Sequence, residues 1–159
     1  MTPELNHASA SSRVCLISIA GEVFAIALRN VREVLPVESV TPIPGAPPVL
    51  VGVMNLSGMV IPLVDLRLMM GLPAAGPSPQ YVVVIHHGVD HVGMLVDQVP
   101  EICDVLPDQI HRIEDNIQAR PSAAAVLRLD QRTASLLEVP MLLAEIQVEW
   151  AVGKAEHQG

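Results

Sequence analysis

The stretch Gly52 to Arg67, GVMNLSGMVIPLVDLR, decides the fold. Val53, Met54, Asn55 and Leu56 lead into a corner at Ser57-Gly58, and Met59 to Asp65 lead out of it. A Ser-Gly pair between apolar runs predicts a hairpin, because glycine takes the positive φ of such turns without a Cβ clash. Asn55, Ser57, Pro62, Asp65 and Arg67 make the run too polar to span a membrane, which takes about 20 mostly apolar residues. The stretch therefore reads as buried sheet near the centre of a compact domain.

The rest of the chain supports an all-β reading. Half of its 159 residues (50%) are hydrophobic, yet Phe24, Tyr81 and Trp150 are its only aromatics, so the core must be aliphatic. Short Val- and Ile-rich runs favour strands, and 14 prolines with 10 glycines cut the chain too often for a helical bundle. A net charge of −8 argues against nucleic acid, whose phosphates call for clustered Lys and Arg. Cys15 and Cys103 alone do not make a disulfide framework. The opening MTPELNHASASSR has neither a basic n-region nor an apolar h-region, which predicts a cytoplasmic protein with no direct membrane insertion. We expect a tail over 1–12, one domain over 13–148, a second tail over 149–159 and only short helical segments.

The first half recurs in the second. Shifted by 68 positions, Val14-Cys15-Leu16-Ile17 falls on Val82-Val83-Val84-Ile85, Glu33 on Glu101 and Val34 on Ile102. The turn Gly21-Glu22 falls on Val89-Asp90. At a shift of 73, Leu63-Val64-Asp65-Leu66 falls on Leu136-Leu137-Glu138-Val139, and Ser57-Gly58 on Asp130-Gln131. The change of offset places about five extra residues in the second connection, 103–125, where insertion is tolerated. Half-repeats of about 13–70 and 81–145, joined by the linker GLPAAGPSP (71–79), predict two similar small barrels related by a pseudo-two-fold.

Catalytic signatures are weak. No G-x-S-x-G, P-loop or G-x-G-x-x-G occurs, and Ser57 reads as a turn residue, not a nucleophile. Asp65 and Glu138 occupy matching strand ends and not one acid/base site. His86 and His91, across a tip at Gly88-Val89, could share a zinc ion with Asp90 or Cys103, although His86 and His87 must point to opposite faces of a strand. That pair defines a remote alternative, a small metal-dependent enzyme. The leading class is a non-catalytic interaction module without cofactors, whose inter-barrel groove would take a partner helix. Val31 and Val82 could line that groove with Glu33 as a polar rim, though a valine in a strand is most simply core.

The succession F-A-I-A-L-x-x-V-x-E-V, then T-P-I-P-G-A-P-P, then V-G-V-M-N-L-S-G-M-V-I-P-L-V-D-L-R, and later Y-V-V-V-I with H-V-G-M-L-V-D-Q-V-P-E-I, resembles the CheW-like domain of bacterial chemosensory pathways. The resemblance runs from about Val14 to Glu145. It implies two intertwined five-stranded SH3-like barrels and no enzymatic activity. It further implies an adaptor that couples methyl-accepting chemoreceptors to the histidine kinase CheA. Such an adaptor holds the receptor's helical hairpin tip in the inter-barrel groove. It meets the kinase's own CheW-like regulatory domain through barrel ends, and contacts with other CheW-like domains can close into rings. The protein would be cytoplasmic and tied to membrane-bound arrays only through its partners. Val31 and Glu33 match family positions for receptor and kinase binding, and Val82, Val83 and Gly93 match positions near the groove. Asn55-Leu56-Ser57-Gly58 matches the family's N-L-R-G corner except that serine replaces an arginine of the partner surface, and serine has no bidentate fork. That departure raises a second possibility: a divergent paralogue serving a pilus or second-messenger pathway.

Overall fold

A computed structural model describes residues 12–74, 76, 78–113 and 120–158, those after 151 as backbone only. The first half contributes β1 (Ser12–Ile19), β2 (Glu22–Ala27), β3 (Val31–Pro36), β4 (Leu50–Leu56) and β5 (Met59–Val64). The second contributes β6 (Tyr81–His87), β7 (Asp90–Val96), β8 (Glu101–Val105), β9 (Ile110–Arg112), β10 (Ala123–Arg128) and β11 (Thr133–Leu137), followed by the helix α1 (Val139–Gln158). The expected tail over 1–12, except Ser12, lies outside the described residues.

The halves exchange strands. One curled sheet runs β8-β1-β2-β11-β10-β9 and the other β3-β6-β7-β5-β4, so each joins two strands of one half to strands of the other. Both sequence offsets are structural registers. Val14 pairs with Ala27 and Val82 with Leu95, each partner 68 positions on. Val53 pairs with Pro62 and Val126 with Ser135, each 73 on. Even the parallel joins correspond, Leu136 with Ala25 and Leu63 with Gly93.

The first sheet has six strands where five were expected. Its extra strand, β9, pairs His111 with Val126; the matching place in the other sheet holds a single bridge, Thr41 to Val53. Thr41 is followed by Pro42, Pro44, Pro47 and Pro48, and proline has no N–H to extend a ladder. The same strand is present in one half and chemically blocked in the other.

Strand exchange explains the unbroken apolar runs. In β1, Val14 and Leu16 fill the six-stranded barrel while Cys15, Ile17 and Ile19 turn into a core shared by both sheets. In β6, Val82 and Val84 fill the five-stranded barrel while Val83 and Ile85 join that shared core, together with Phe24, Ile26, Met94 and Val96. Strands buried on both faces lose the polar alternation of a half-exposed sheet.

The long helix is the element that the sequence did not announce. Val139, Leu142, Leu143 and Ile146 form its i, i+3, i+4, i+7 stripe and cap the shared core. The shift of 73 sets Val139 against Leu66, just past the first hairpin; β11 stops at Leu137 and Pro140 stands in the first turn of the helix, where its missing N–H costs nothing. Among the described residues no helix is long and apolar enough to cross a membrane.

Candidate partner-binding surface

Strand direction sets the geometry of the site. In the five-stranded sheet β3, β7 and β5 run one way and β6 and β4 the other. The start of β3, the β4–β5 corner and the β6–β7 tip therefore lie at one end of the barrel. Val31, Glu33, Asn55, Leu56, Ser57 and Gly58 are brought to that end.

The corner is a two-residue turn with both central φ values positive, Ser57 at 50° and Gly58 at 85°, the pattern of a type I′ hairpin. The Gly58 N–H donates to Asn55 Oδ1 at 2.9 Å, so Asn55 holds the turn closed. Ser57 and Gly58 are exposed and Leu56 is half-buried. Beside them, Val60 pairs with Asn55 and is 64% exposed, because Met59, Ile61 and Leu63 take the inward positions. Val60 is not among the residues expected from the sequence, although the alternation of β5 marks it as an outward residue.

At the start of β3, Val31 is half-buried and Glu33 exposed, with a bulge between them that leaves Arg32 as the extra residue. Val34, 40% exposed, adds apolar surface along the same edge strand. Val82, Val83 and Gly93 are inside: Val82 and Val83 are 1% and 0% exposed, and Gly93 is buried. A Cβ on Gly93 would meet Leu63 Cδ2 at 2.6 Å and Val82 Cγ1 at 2.8 Å, so hydrogen is what lets β5, β6 and β7 close up there. These three residues support the surface from behind and do not line it.

The trailing Asp65 and Arg67 form a structural clamp. Arg67 grips Asp65 with Nε to Oδ1 at 3.1 Å and Nη2 to Oδ2 at 2.7 Å, and its Nη1 donates to the Ala74 carbonyl at 3.0 Å. Burial alone would raise the Asp65 pKa, but the hydrogen bonds and charge of Arg67 outweigh it and hold the carboxyl below its ordinary value. Arg120 makes a similar fork on Glu22, both bonds 2.7 Å, and donates to the Met70 carbonyl. The linker after β5 is thus pinned from both sides.

His86 and His91 do face each other, their rings stacked at a centroid distance of 5.9 Å. His91 Nδ1 donates to the Val89 carbonyl at 3.1 Å, and its Nε2 lies 3.0 Å from Arg32 Nη1. Neither Asp90 nor Cys103 completes a metal cluster among the described residues. Burial pushes the Cys15 thiol pKa up, so it stays protonated and inert at neutral pH.

The chain matches the model of the CheW-like domain over residues 13–147. It is 31% identical to the probable chemotaxis protein CheW of Rhizobium etli over 137 residues, covering 84% of this chain and 88% of that one. It is also 31% identical to the chemotaxis protein CheW of Rhizobium meliloti over 143 residues, covering 87% and 92%. The crystal structure of the scaffolding protein TtCheW from Thermoanaerobacter tengcongensis superposes with a TM-score of 0.73 at 22% identity, covering 81% of this chain and 90% of that one. With two strand-exchanged sheets, and a family match spanning both of them, this chain belongs to the CheW-like domain family.

Proposed function

We propose that the protein is a non-catalytic scaffold of a chemosensory array, coupling chemoreceptors to the histidine kinase CheA. The carrying observation is the single barrel end where Val31, Glu33, Val60 and the Asn55–Gly58 corner are presented together. Family membership and the relatives' names, chemotaxis proteins CheW, support the chemotaxis role. An exposed mixed apolar and acidic surface at the rim of a rigid barrel suits a helical partner. The receptor hairpin tip and the kinase's CheW-like domain are the partners we assign, with other CheW-like domains as further neighbours.

The test is reconstitution of the receptor and kinase with and without this protein. The protein should raise kinase output only when both are present, and Glu33→Lys should weaken that effect without changing thermal stability. An output indifferent to the protein overturns the assignment. Ser57 in place of the family's arginine supports the narrower reading of a paralogue with reduced receptor affinity. Under that reading Ser57→Arg raises receptor binding; unchanged binding refutes it.

A further inference from the structure

An arginine–histidine corner stands at the same barrel end. Among the described residues Arg13, Arg67, Arg120 and Arg132 each hold a carboxylate, whereas Arg32, like Arg29, Arg112 and Arg128, makes no ion pair. The bulge between Val31 and Glu33 frees Arg32 from the ladder, and its Nη1 reaches His91 Nε2 at 3.0 Å. Because His91 Nδ1 donates to the Val89 carbonyl, its Nε2 offers the lone pair that accepts from Arg32. His86 stacks on His91 with ring planes 24° apart, and Asn30 Nδ2 donates to the His86 carbonyl at 3.1 Å. The guanidinium is held at one nitrogen while its Nε–Nη2 edge has no partner among the described residues.

Arg32 is the one permanent cation on these three strands, beside the carboxylates of Glu33 and Asp90 and the imidazoles of His86, His87 and His91. A divalent cation is a poor occupant, because it would have to displace one cation and sit beside it. An anion fits: a guanidinium edge takes a carboxylate through two parallel charge-assisted hydrogen bonds. Arg32 follows Val31 at the start of β3, the barrel end assigned above to the helical partner.

We propose that Arg32, braced by His91 and His86, receives an Asp or Glu side chain of the helical partner that docks at this barrel end. The assignment rests on the adaptor reading above. The test measures binding of a soluble chemoreceptor helical hairpin from the same genome to the full chain and its variants. Arg32→Glu should weaken binding about tenfold, as loss of a charge-assisted contact does. Arg128→Glu, the same charge change at the end of β10, should stay within about twofold, a screened long-range effect. His91→Ala should fall between them, and Arg32→Gln should repeat the loss in a variant with no new charge. Replacing the receptor's own acidic residue by arginine should restore binding to Arg32→Glu. Equal effects of Arg32→Glu and Arg128→Glu, or none from either, overturn the carboxylate assignment and leave the adaptor reading standing. If the unaltered protein binds no receptor hairpin, the adaptor reading itself fails.

Discussion

Gly93→Ala is the most informative single change. An added Cβ would lie 2.6 Å from Leu63 Cδ2 and 2.8 Å from Val82 Cγ1, against ordinary carbon contacts near 3.5–4.0 Å. Relief by backbone movement is costly, since β7 is bonded to β5 at Leu63–Gly93 and to β6 at Val84–Gly93. Relief by the side chains means moving both Leu63 and Val82, and both are buried. Overpacking of this kind costs about 1–3 kcal/mol. For a domain of this size that corresponds to a fall in Tm of roughly 2–12 °C. Urea unfolding and calorimetry give the number. The double variant Leu63→Val, Gly93→Ala should recover about 1 kcal/mol over additivity, because trimming Leu63 removes the closer of the two overlaps and leaves the one with Val82 Cγ1. Partner binding by Gly93→Ala, measured well below its Tm, should stay near that of the unaltered protein, since Gly93 lies behind the surface. An unchanged Tm, or strictly additive effects, would refute the packing argument; full stability with lost binding would return Gly93 to the contact surface.

Three further outcomes follow from the geometry. Asp65→Asn should cost about 1–2 kcal/mol at neutral pH, as loss of a partly buried hydrogen-bonded charge does. Because the folded pKa of Asp65 lies below its unfolded value, that stabilisation is complete above the ordinary carboxylate pKa and disappears as pH falls through the lower folded value. Tm against pH should therefore converge for the two proteins in acid. Phe24→Ala empties a fully buried site in the shared core and should cost about 3–5 kcal/mol by chemical denaturation. Ser57→Gly places the residue that best tolerates positive φ where φ is 50° and should raise stability by up to about 1 kcal/mol in the same assay.

Much of this architecture can be read from the chain, and the misses have physical causes. The offsets of 68 and 73 are legible because equivalent strands occupy equivalent doubly buried places, so Val14 and Val82, or Cys15 and Val83, meet the same demand. The extra strand at Ile110–Arg112 is not legible, since three residues carry no pattern and its strength shows only beside the proline-blocked twin at Thr41. The helix is hidden because VPMLLAEI is apolar at both strand and helix spacing, and only Pro140 tips the choice. Of the candidate surface, the Asn55–Gly58 corner is legible from turn chemistry. Burial of Val82 agrees with reading a strand valine as core, whereas burial of its neighbour Val83 as well shows only once both faces of the strand are seen to be covered. Arg32 is illegible for another reason: a bulge sends its side chain onto a histidine 59 positions away.

Strand exchange also sets a schedule for synthesis. Every strand of the five-stranded sheet has been made once Val96 leaves the ribosome, whereas β1 and β2 wait for β8 and for β11, whose last residue is Leu137. The earliest strands to emerge are thus among the last to be satisfied, and VCLISI and VFAIAL remain apolar edges open to one another's copies in the interval. For the same reason a cut in the 71–79 linker leaves two fragments, neither holding a complete sheet, that must fold as a pair.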